Sequence, residues 1–365
     1  MRKLIIFFLF LFLGNIIFSQ ENELKKALFW EKKENNTVRC LLCPRRCIIP
    51  QGKRGFCRVR INKKGTLYTL AYNNPVAVAI DPIEKKPFFH VLPGTKALSI
   101  AFSGCNMRCI FCQNWHISQK APDETKNYYL TSKDLIKLAK KYNCPSIVFT
   151  YTEPTIFYEY MLETAKLAKK EGLFVGMHTC GYINKKPLEE LLKYMDFVNV
   201  DLKAFSEEFY NKIGYGAHLS PVLETLKTIK KAGVHLEITN LIIPTLNDSP
   251  QMIRKMCTWI KENLGDDVPI HFTRFYPMFK LKNLPPTPLE TLKKAYKIAK
   301  EVGLKYVYIG NVFGIKEEST FCPYCGKILI RRVGYTILEN NIVDGRCKWC
   351  HHKIEGVWSK EAVEK

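Results

Sequence analysis

Cysteine is scarce in this sequence, at 14 of 365 residues. Such a share excludes a disulfide-stabilised scaffold, which needs roughly 8–10% cysteine in a short secreted chain. Eleven of the 14 nevertheless fall into clusters of four, three and four residues. A cluster of three offers no even pairing for disulfides, whereas metal ligation accounts for all three clusters. We therefore expect a metal-binding protein.

Acidic residues are also few, with 34 against 56 basic residues and a net charge of +22. An excess of this size fits proteins that bind nucleic acid or an anionic surface. Most lysines, however, lie at spaced positions in amphipathic stretches such as Asp134–Lys141 and Leu289–Lys300, which is typical of a solvated helix face. Nucleic acid is therefore not an expected partner. A non-enzymatic zinc-ribbon protein that binds nucleic acid stays as an alternative function.

Long apolar runs are missing except at the N-terminus, where Arg2 and Lys3 precede an apolar stretch over residues 4–18. The stretch has the length of a secretory signal and is short for a spanning helix. Its end lacks the small residues of a cleavage site, so an uncleaved anchor or a misplaced start codon are alternatives. We expect residues 1–20 to be a signal-like or anchoring segment and the rest of the chain to work in the cytoplasm, because an oxidising environment would pair the clustered cysteines as disulfides.

The sequence shows no internal repeat. From residue 97, short apolar runs alternate with helical patterns. Thr131 and Asp134 are placed like a capping pair at the start of one helix. The predicted strands are Leu98–Phe102, Ile147–Phe149, Phe174–Met177, Phe197–Val200, His235–Ile243, Ile270–Phe272 and Tyr306–Ile309. The predicted helices are Lys133–Lys141, Thr155–Lys170, Pro187–Tyr194, a helical region ending at Lys231, Pro250–Asn263 and Leu289–Glu301. This alternation predicts an α/β fold with a parallel sheet, either a barrel or a doubly wound sheet.

Two small cysteine-bearing modules flank this α/β region. The predicted division is a signal-like segment at 1–20, an N-terminal four-cysteine module at 21–96, the α/β domain at 97–319, and a C-terminal module with a tail at 320–365. Each module is too small for a large apolar core, so a bound metal would explain how it folds.

The middle cysteine cluster directly follows the first strand of the α/β region. Its members Cys105, Cys109 and Cys112 are separated by three and two residues. Three thiolates can hold three irons of a [4Fe–4S] cluster, which ordinarily takes four cysteines, and the fourth iron then stays open to an exchangeable ligand. A structural zinc site with its fourth ligand elsewhere is the alternative.

With this motif the sequence resembles the radical S-adenosylmethionine (radical SAM) superfamily. The resemblance implies a partial or distorted TIM-like (β/α) barrel. It also implies an enzyme that binds S-adenosylmethionine at the open iron and cleaves it reductively to a 5′-deoxyadenosyl radical.

Polar residues at the carboxyl ends of the later strands also match this family, and a βα barrel places its active site at those ends. Glu153 resembles the residue that binds the methionine amino group, and Lys203 the lysine near the carboxylate. Cys180 and His178 depart from the family pattern around a cation site at Thr179 and Asp201. The cofactor-binding residues that the resemblance implies are Glu153, Thr179, Asp201, Lys203, Asn240, His271 and Arg274. The alternatives are that Glu153 caps the following helix and that Asp201 and Lys203 form a surface ion pair.

Within the superfamily, residues 24–358 are similar to the radical SAM component of the AmmeMemoRadiSam system. The motifs that carry this likeness include Cys40–Cys47, Cys112–Gln119, Pro285–Pro288, Gly310–Val312, Cys322–Cys325 and Gly356–Trp358. The resemblance implies AMMECR1-like and Memo-like partner proteins and an electron donor such as flavodoxin or ferredoxin, without specifying a substrate. A glycyl-radical-enzyme activating enzyme, related to the pyruvate formate-lyase activating enzymes, is the alternative within the same chemistry.

The two clusters of four cysteines are each sufficient for a complete metal site. The C-terminal set forms two Cys-x2-Cys knuckles that suit tetrahedral zinc or a single iron: Cys322, Cys325, Cys347 and Cys350. The N-terminal set allows zinc or an auxiliary iron–sulfur cluster: Cys40, Cys43, Cys47 and Cys57. We favour zinc there, because so small a segment needs a bound metal to stabilise its fold. Isolated cysteines such as Cys144 are expected to pack as small apolar residues.

Overall fold

A computed structural model describes residues 24–359 of the chain. The signal-like segment predicted at residues 1–20 lies outside this range. Between residues 24 and 359, no helix combines the length and apolar character needed to cross a membrane.

The chain forms eight α-helices in this range, beside a few short 3-10 turns. The helices are α1 Trp115–Ser118, α2 Ser132–Lys141, α3 Tyr158–Lys170, α4 Lys185–Leu192, α5 Glu207–Ile213, α6 Ser220–Lys231, α7 Pro250–Leu264 and α8 Leu289–Val302. The predicted capping pair is confirmed at α2, where the Thr131 hydroxyl accepts a hydrogen bond from the Asp134 amide at 3.2 Å. Where one helix was predicted from Thr155, a 3-10 turn at Pro154–Phe157 precedes α3.

Eight strands form the central sheet. They are β7 Ala77–Pro82, β8 Lys96–Ala101, β9 Ser146–Phe149, β10 Phe174–Thr179, β11 Phe197–Asp201, β12 His235–Ile242, β13 Ile270–Arg274 and β14 Val307–Gly310. They neighbour one another in chain order, and every pair from β8 to β14 is parallel. The predicted α/β fold with a parallel sheet is therefore confirmed. It is a partial (β/α) barrel, since the outer strands β7 and β14 are not paired with each other in the described part of the chain.

Strand β7 lies upstream of residue 97, the predicted start of the α/β domain, yet it belongs to this sheet. It pairs antiparallel with β8, with Val78 opposite Ile100. The next segment then runs across to later strands, because the amides of Phe89 and His90 donate to the carboxylate of Glu237 in β12 at 3.1 and 2.9 Å. Phe89 also packs edge-on against Tyr308 of β14. The first part of the chain thus reaches the far side of the sheet.

The N-terminal module consists of two small antiparallel sheets that pack directly on the barrel. Its strands are β1 Lys25–Lys26, β2 Trp30–Lys32, β3 Val38–Cys40, β4 Ile48–Ile49, β5 Arg60–Lys63 and β6 Thr66–Thr69. Its apolar residues Val38, Leu42 and Val59 belong to the same buried cluster as the inward side chains of the barrel. A buried ion pair between Arg60 and Glu159 of α3, at 2.8 Å, joins the two parts.

The C-terminal module is a β-structure fixed to the barrel by a buried arginine. Its strands are β15 Thr320–Phe321, β16 Ile328–Val333, β17 Thr336–Asn340, β18 Ile342–Val343 and β19 Arg346–Cys347. Arg332 donates to the carbonyl of Phe89 at 2.6 Å and to the Thr320 hydroxyl at 2.7 Å. The module therefore shares buried polar contacts with the barrel instead of forming a separate unit.

Candidate functional site

A cavity of about 380 Å³ opens at the carboxyl ends of the parallel strands. All three cysteines of the middle cluster line it, together with four of the predicted cofactor-binding residues: Glu153, Thr179, Asp201 and Lys203. These residues come from segments up to 98 positions apart in sequence, from Cys105 to Lys203. The parallel sheet brings them together, because every strand delivers its carboxyl end to the same face.

The cysteine loop leaves β8 through Gly104, whose φ is +104°. A side chain there would be strained, and its Cβ would lie 2.7 Å from the Cys57 carbonyl oxygen and 2.6 Å from a Val59 methyl group. Further on, the Met107 amide donates to the Cys105 sulfur at 3.3 Å. The loop is thus held tightly between the barrel and the N-terminal module.

The three thiols are buried, and burial raises the pKa of each of them, that of Cys109 to about 11. Without a cation they would be neutral at physiological pH, whereas a coordinated thiol is deprotonated outright. The sulfurs are too widely spread for a single ion, since no three ligand atoms of this set lie within 4.8 Å of one another among residues 24–359. Wide spacing around one cavity fits a cluster in which each thiolate binds a different iron.

Glu153 is buried at the cavity wall and accepts four hydrogen bonds. Its Oε1 accepts from the amide and hydroxyl of Thr155 at 3.0 and 2.6 Å and from the Thr179 hydroxyl at 2.6 Å. Within residues 24–359, its Oε2 accepts only from the Cys180 amide, at 2.8 Å. Glu153 therefore does cap the following 3-10 turn, and Oε2 keeps acceptor capacity for a ligand.

Asp201 and Lys203 form an ion pair in the cavity and not on the surface. The Lys203 ammonium lies 2.8 Å from one Asp201 oxygen, and His178 Nε2 lies 2.9 Å from the other. Burial alone would raise the pKa of Asp201, but the charge of Lys203 and the contact with His178 outweigh it and hold this pKa well below its usual range. In turn, Asp201 overcomes the effect of burial on Lys203 and raises the pKa of the ammonium.

Asn240 does not line the cavity; it supports the Asp201–Lys203 turn from behind. Its side-chain amide donates to the carbonyls of Leu202 and Lys203 at 2.7 and 3.2 Å. Asn247 donates to the same Lys203 carbonyl at 2.6 Å. In this structure the Asn240 side chain therefore holds the backbone of this turn, and the cofactor contact predicted for it stays a prediction.

His271 and Arg274 also lie off the cavity wall, where the sequence predicted cofactor binding. His271 is buried inside the barrel, with Nε2 2.6 Å from Glu237, because its position on β13 directs it away from the carboxyl edge. The Arg274 guanidinium lies against the ring of Tyr276, 5.3 Å from its centroid.

The cavity is also lined by residues that were not predicted as site residues, among them Lys86, Thr273, Asn311 and Tyr335. Asn311 follows β14 at a strand end, a signal that was available in the sequence. Lys86 reaches the cavity because β7 joins the sheet, and it pairs with Asp81 at 2.5 Å. Burial lowers the pKa of Lys86 to about 8 despite this pairing. Tyr335 arrives from the β16–β17 turn of the C-terminal module.

The C-terminal cysteines form a compact four-sulfur site. Their ligand atoms all lie within 4.8 Å of one another, with Cys322 and Cys350 at 3.5 Å and Cys325 and Cys347 at 3.7 Å. A tetrahedral zinc site with Zn–S bonds of about 2.3 Å has sulfurs about 3.8 Å apart. The spacing therefore fits one metal ion bound by four thiolates.

We predict that Cys325→Ser combined with Cys350→Ser removes about one metal ion per chain and lowers the melting temperature, since a structural zinc site contributes folding energy directly. Elemental analysis and thermal unfolding measure the two effects. Point substitutions are preferable to removal of residues 320–365, because Arg332 and Tyr335 support the barrel and its cavity. Unchanged zinc and iron in the double variant would contradict the metal site.

The N-terminal cysteines lie near one another. Cys40 and Cys47 belong to neighbouring strand ends joined by a backbone hydrogen bond of 3.0 Å, and the Phe56 amide donates to the Cys47 sulfur at 3.5 Å. Burial raises the pKa of the Cys43 thiol, and the nearby thiols of Cys40 and Cys57 raise it further. No three of these four sulfurs lie within 4.8 Å of one another in the described part of the chain.

Comparison with known proteins agrees with this geometry. The sequence pattern of the Radical SAM superfamily matches residues 99–260. The chain is 47% identical over 334 residues to the uncharacterized protein MJ0808 of Methanocaldococcus jannaschii, covering 91% of this chain and 99% of that protein. It is 26% identical over 227 residues to the pyruvate formate-lyase-activating enzyme of Clostridium pasteurianum, covering 58% of this chain and 92% of that enzyme. A radical SAM methyltransferase structure from Sphaerobacter thermophilus aligns with a TM-score of 0.47 at 14% identity, covering 65% of this chain and 71% of that one.

Proposed function

The chain belongs to the radical SAM superfamily of enzymes, and on that premise we propose that it cleaves S-adenosylmethionine reductively at a [4Fe–4S] cluster held by Cys105, Cys109 and Cys112. When bound, the cluster and S-adenosylmethionine supply a 5′-deoxyadenosyl radical that abstracts hydrogen from a substrate. The observation that carries the proposal is the meeting of these three thiols with Glu153 and Lys203 around one cavity.

The chain's own residues provide complementary charges for an amino-acid moiety. The free acceptor position on Glu153 Oε2 suits an ammonium group, and the Lys203 ammonium suits a carboxylate. Asp201 and His178 hold Lys203 in place, while Asn240 and Asn247 fix the backbone behind it. We propose that this arrangement orients the methionine part of the cofactor toward the cysteine loop.

The direct test is product formation. The full chain is reconstituted anaerobically with iron and sulfide, then mixed with dithionite and S-adenosylmethionine, and 5′-deoxyadenosine is quantified by liquid chromatography. We expect 5′-deoxyadenosine and methionine to form only when the reductant is present. No product from a protein with a full complement of iron and sulfide would overturn the proposal.

We predict that Glu153→Gln reduces 5′-deoxyadenosine formation by about 10–100-fold. The variant loses a charged acceptor, and a hydrogen bond to a charged group contributes roughly 1.5–3 kcal/mol. The amide nitrogen would also face the Thr179 hydroxyl or the Cys180 amide, both of which donate to Glu153. The rate is measured at several S-adenosylmethionine concentrations.

Asp196→Asn is the matched control for this variant. Asp196 is a buried carboxylate that accepts from the Val175 amide at 2.8 Å, at the opposite end of the strands from the cavity. We expect it to lower stability but to leave the rate per folded molecule unchanged. Equal rates for the Glu153 variant and wild type would exclude Glu153 from cofactor binding.

Activation of a glycyl-radical enzyme is the second candidate function, and it is supported by the similarity to pyruvate formate-lyase-activating enzymes of Clostridium pasteurianum and Escherichia coli. In this case the substrate would be a glycine residue of a partner protein. Incubation with a candidate glycyl-radical enzyme and detection of a carbon-centred radical by electron paramagnetic resonance tests it.

For the AmmeMemoRadiSam assignment, we propose that AMMECR1-like and Memo-like proteins bind this chain and that a flavodoxin or ferredoxin reduces it. Co-purification of the three proteins from one host tests the first part. Replacement of dithionite by reduced flavodoxin in the assay above tests the second.

A further inference from the structure

The N-terminal cysteines, not needed for the proposed reaction, form a second metal site with its own chemistry. We propose that Cys40, Cys43, Cys47 and Cys57 ligate an iron–sulfur cluster and not a zinc ion. The proposal rests on sulfur spacing, on the packing of the module and on the polar groups around the thiols.

Sulfur spacing separates the three cysteine sets of this chain into two kinds. In the C-terminal set all ligand atoms lie within 4.8 Å of one another, as a single tetrahedral ion requires. Among residues 24–359, neither the Cys105 set nor the Cys40 set brings even three sulfurs that close. A cluster distributes its thiolates over separate irons and so needs the wider spacing. The N-terminal set therefore resembles the proposed active-site set and differs from the C-terminal one.

The packing of the module removes the reason for preferring zinc there. A metal staple is needed where a small segment lacks a core of its own. Here Val38, Leu42 and Val59 are buried in the main core of the protein. The Asn184 amide and side chain donate to the carbonyls of Leu42 and Leu41, at 3.0 and 2.7 Å. The module is thus held by the barrel, and its four cysteines are left to another role.

A buried arginine lies beside the thiols. It favours an anionic group that offers several hydrogen-bond acceptors. Arg60 is only 1% exposed and uses Nη1 to pair with Glu159 at 2.8 Å. Its Nε and Nη2 are buried and have no hydrogen-bond partner within the described residues. Buried donors without partners are costly. Thiolate or sulfide acceptors of a cluster ligated by the nearby Cys40 and Cys57 would satisfy them.

The second site adjoins the active-site loop directly. The Cys57 carbonyl lies so close to Gly104 that a Cβ there would be 2.7 Å from it. Arg45, between Cys43 and Cys47, donates to the Asn106 carbonyl at 2.8 Å, next to Cys105. A cluster at this place would be a neighbour of the active-site cluster, and any exchange of one electron between them would need no intervening domain.

The test counts inorganic sulfide, because neither zinc nor a single iron in the C-terminal site contains any. The full chain and a Cys105→Ala/Cys109→Ala/Cys112→Ala variant are reconstituted anaerobically with iron and sulfide and analysed for iron, sulfide and zinc. If the second cluster is of the [4Fe–4S] type, we expect about eight sulfides per wild-type chain and about four in the triple variant. If it is of the [2Fe–2S] type, we expect about six in the wild type and about two in the triple variant.

Cys43→Ala/Cys57→Ala should lose the second cluster and keep the first, while Cys144→Ser, at a buried cysteine outside all three sets, should keep both. The proposal would be overturned if the triple variant contained no sulfide and about two zinc ions per chain. The triple variant lacks the active-site ligands, so its sulfide content is independent of S-adenosylmethionine cleavage. If the Cys43/Cys57 variant does not fold, the sulfide counts of the wild type and the triple variant still decide.

Discussion

Cys109→Ser is expected to lower the rate of 5′-deoxyadenosine formation by at least about 100-fold, since altering even an outer-shell partner of a metal ligand often costs 10–100-fold. Cys109 is the most buried of the three cavity cysteines. A serine there offers a hard oxygen in place of a soft thiolate. Besides the three cysteines of this set, Cys180 is the one cavity-lining residue in the described part of the chain with a thiol that could replace it. The rate is measured in the dithionite assay, with iron content determined on the same sample.

Cys144→Ser controls for the loss of a buried thiol. Cys144 is 2% exposed, lies just before β9, and its sulfur contacts the Tyr142 carbonyl at 3.9 Å. We expect near wild-type product formation from it. If the two serine variants gave equal rates, the three-cysteine set would not be the site of cleavage.

The second large effect is expected from Gly104→Ala, which should lower the free energy of unfolding by about 3 kcal/mol and reduce the incorporation of iron. A non-glycine residue in a sparsely populated conformation costs of order 1–3 kcal/mol, and overpacking costs typically 1–3 kcal/mol more. At φ +104° the new methyl group would press on Cys57 and Val59, so one of the two cysteine loops must move. Urea unfolding and iron analysis measure the two effects.

Gly233→Ala separates backbone strain from the steric clash. Gly233 has a φ of +73°, and nothing lies within 4 Å of the position its Cβ would take. Its substitution should cost only about 1–2 kcal/mol and leave the iron content unchanged. Equal losses of stability and iron in both alanine variants would show that the contact between Gly104 and the N-terminal module is unimportant.

The sequence was sufficient to predict the strands and helices from residue 97 onward, because apolar runs and capping residues are local signals. Every predicted strand recurs with shifts of one or two residues at its ends, as β11 at Phe197–Asp201 illustrates. β7 was missed, since an antiparallel edge strand with partly exposed residues carries a weak pattern. Lys86 and Tyr335 were missed for a different reason, because only tertiary contacts bring them to the cavity.

The candidate site was predictable where a residue lies at the carboxyl end of a strand or a few residues beyond it. Glu153, Thr179, Asp201 and Lys203 were found in this way, and all four line the cavity. Asn240 and His271 lie within strands, where the alternation of side chains and the depth along the strand decide what each one faces. His271 belongs to a level nearer the opposite end, with Glu237. Chain order could not reveal that difference.

The most direct test of the central claim is electron–nuclear double resonance on the reduced full chain, before and after addition of S-adenosylmethionine labelled with ¹⁵N in the methionine amine. We expect a new nitrogen coupling to the cluster in the wild type, and a weaker or absent coupling in Glu153→Gln. A reduced cluster whose spectrum is unchanged by S-adenosylmethionine at saturating concentration would contradict an open iron at Cys105, Cys109 and Cys112.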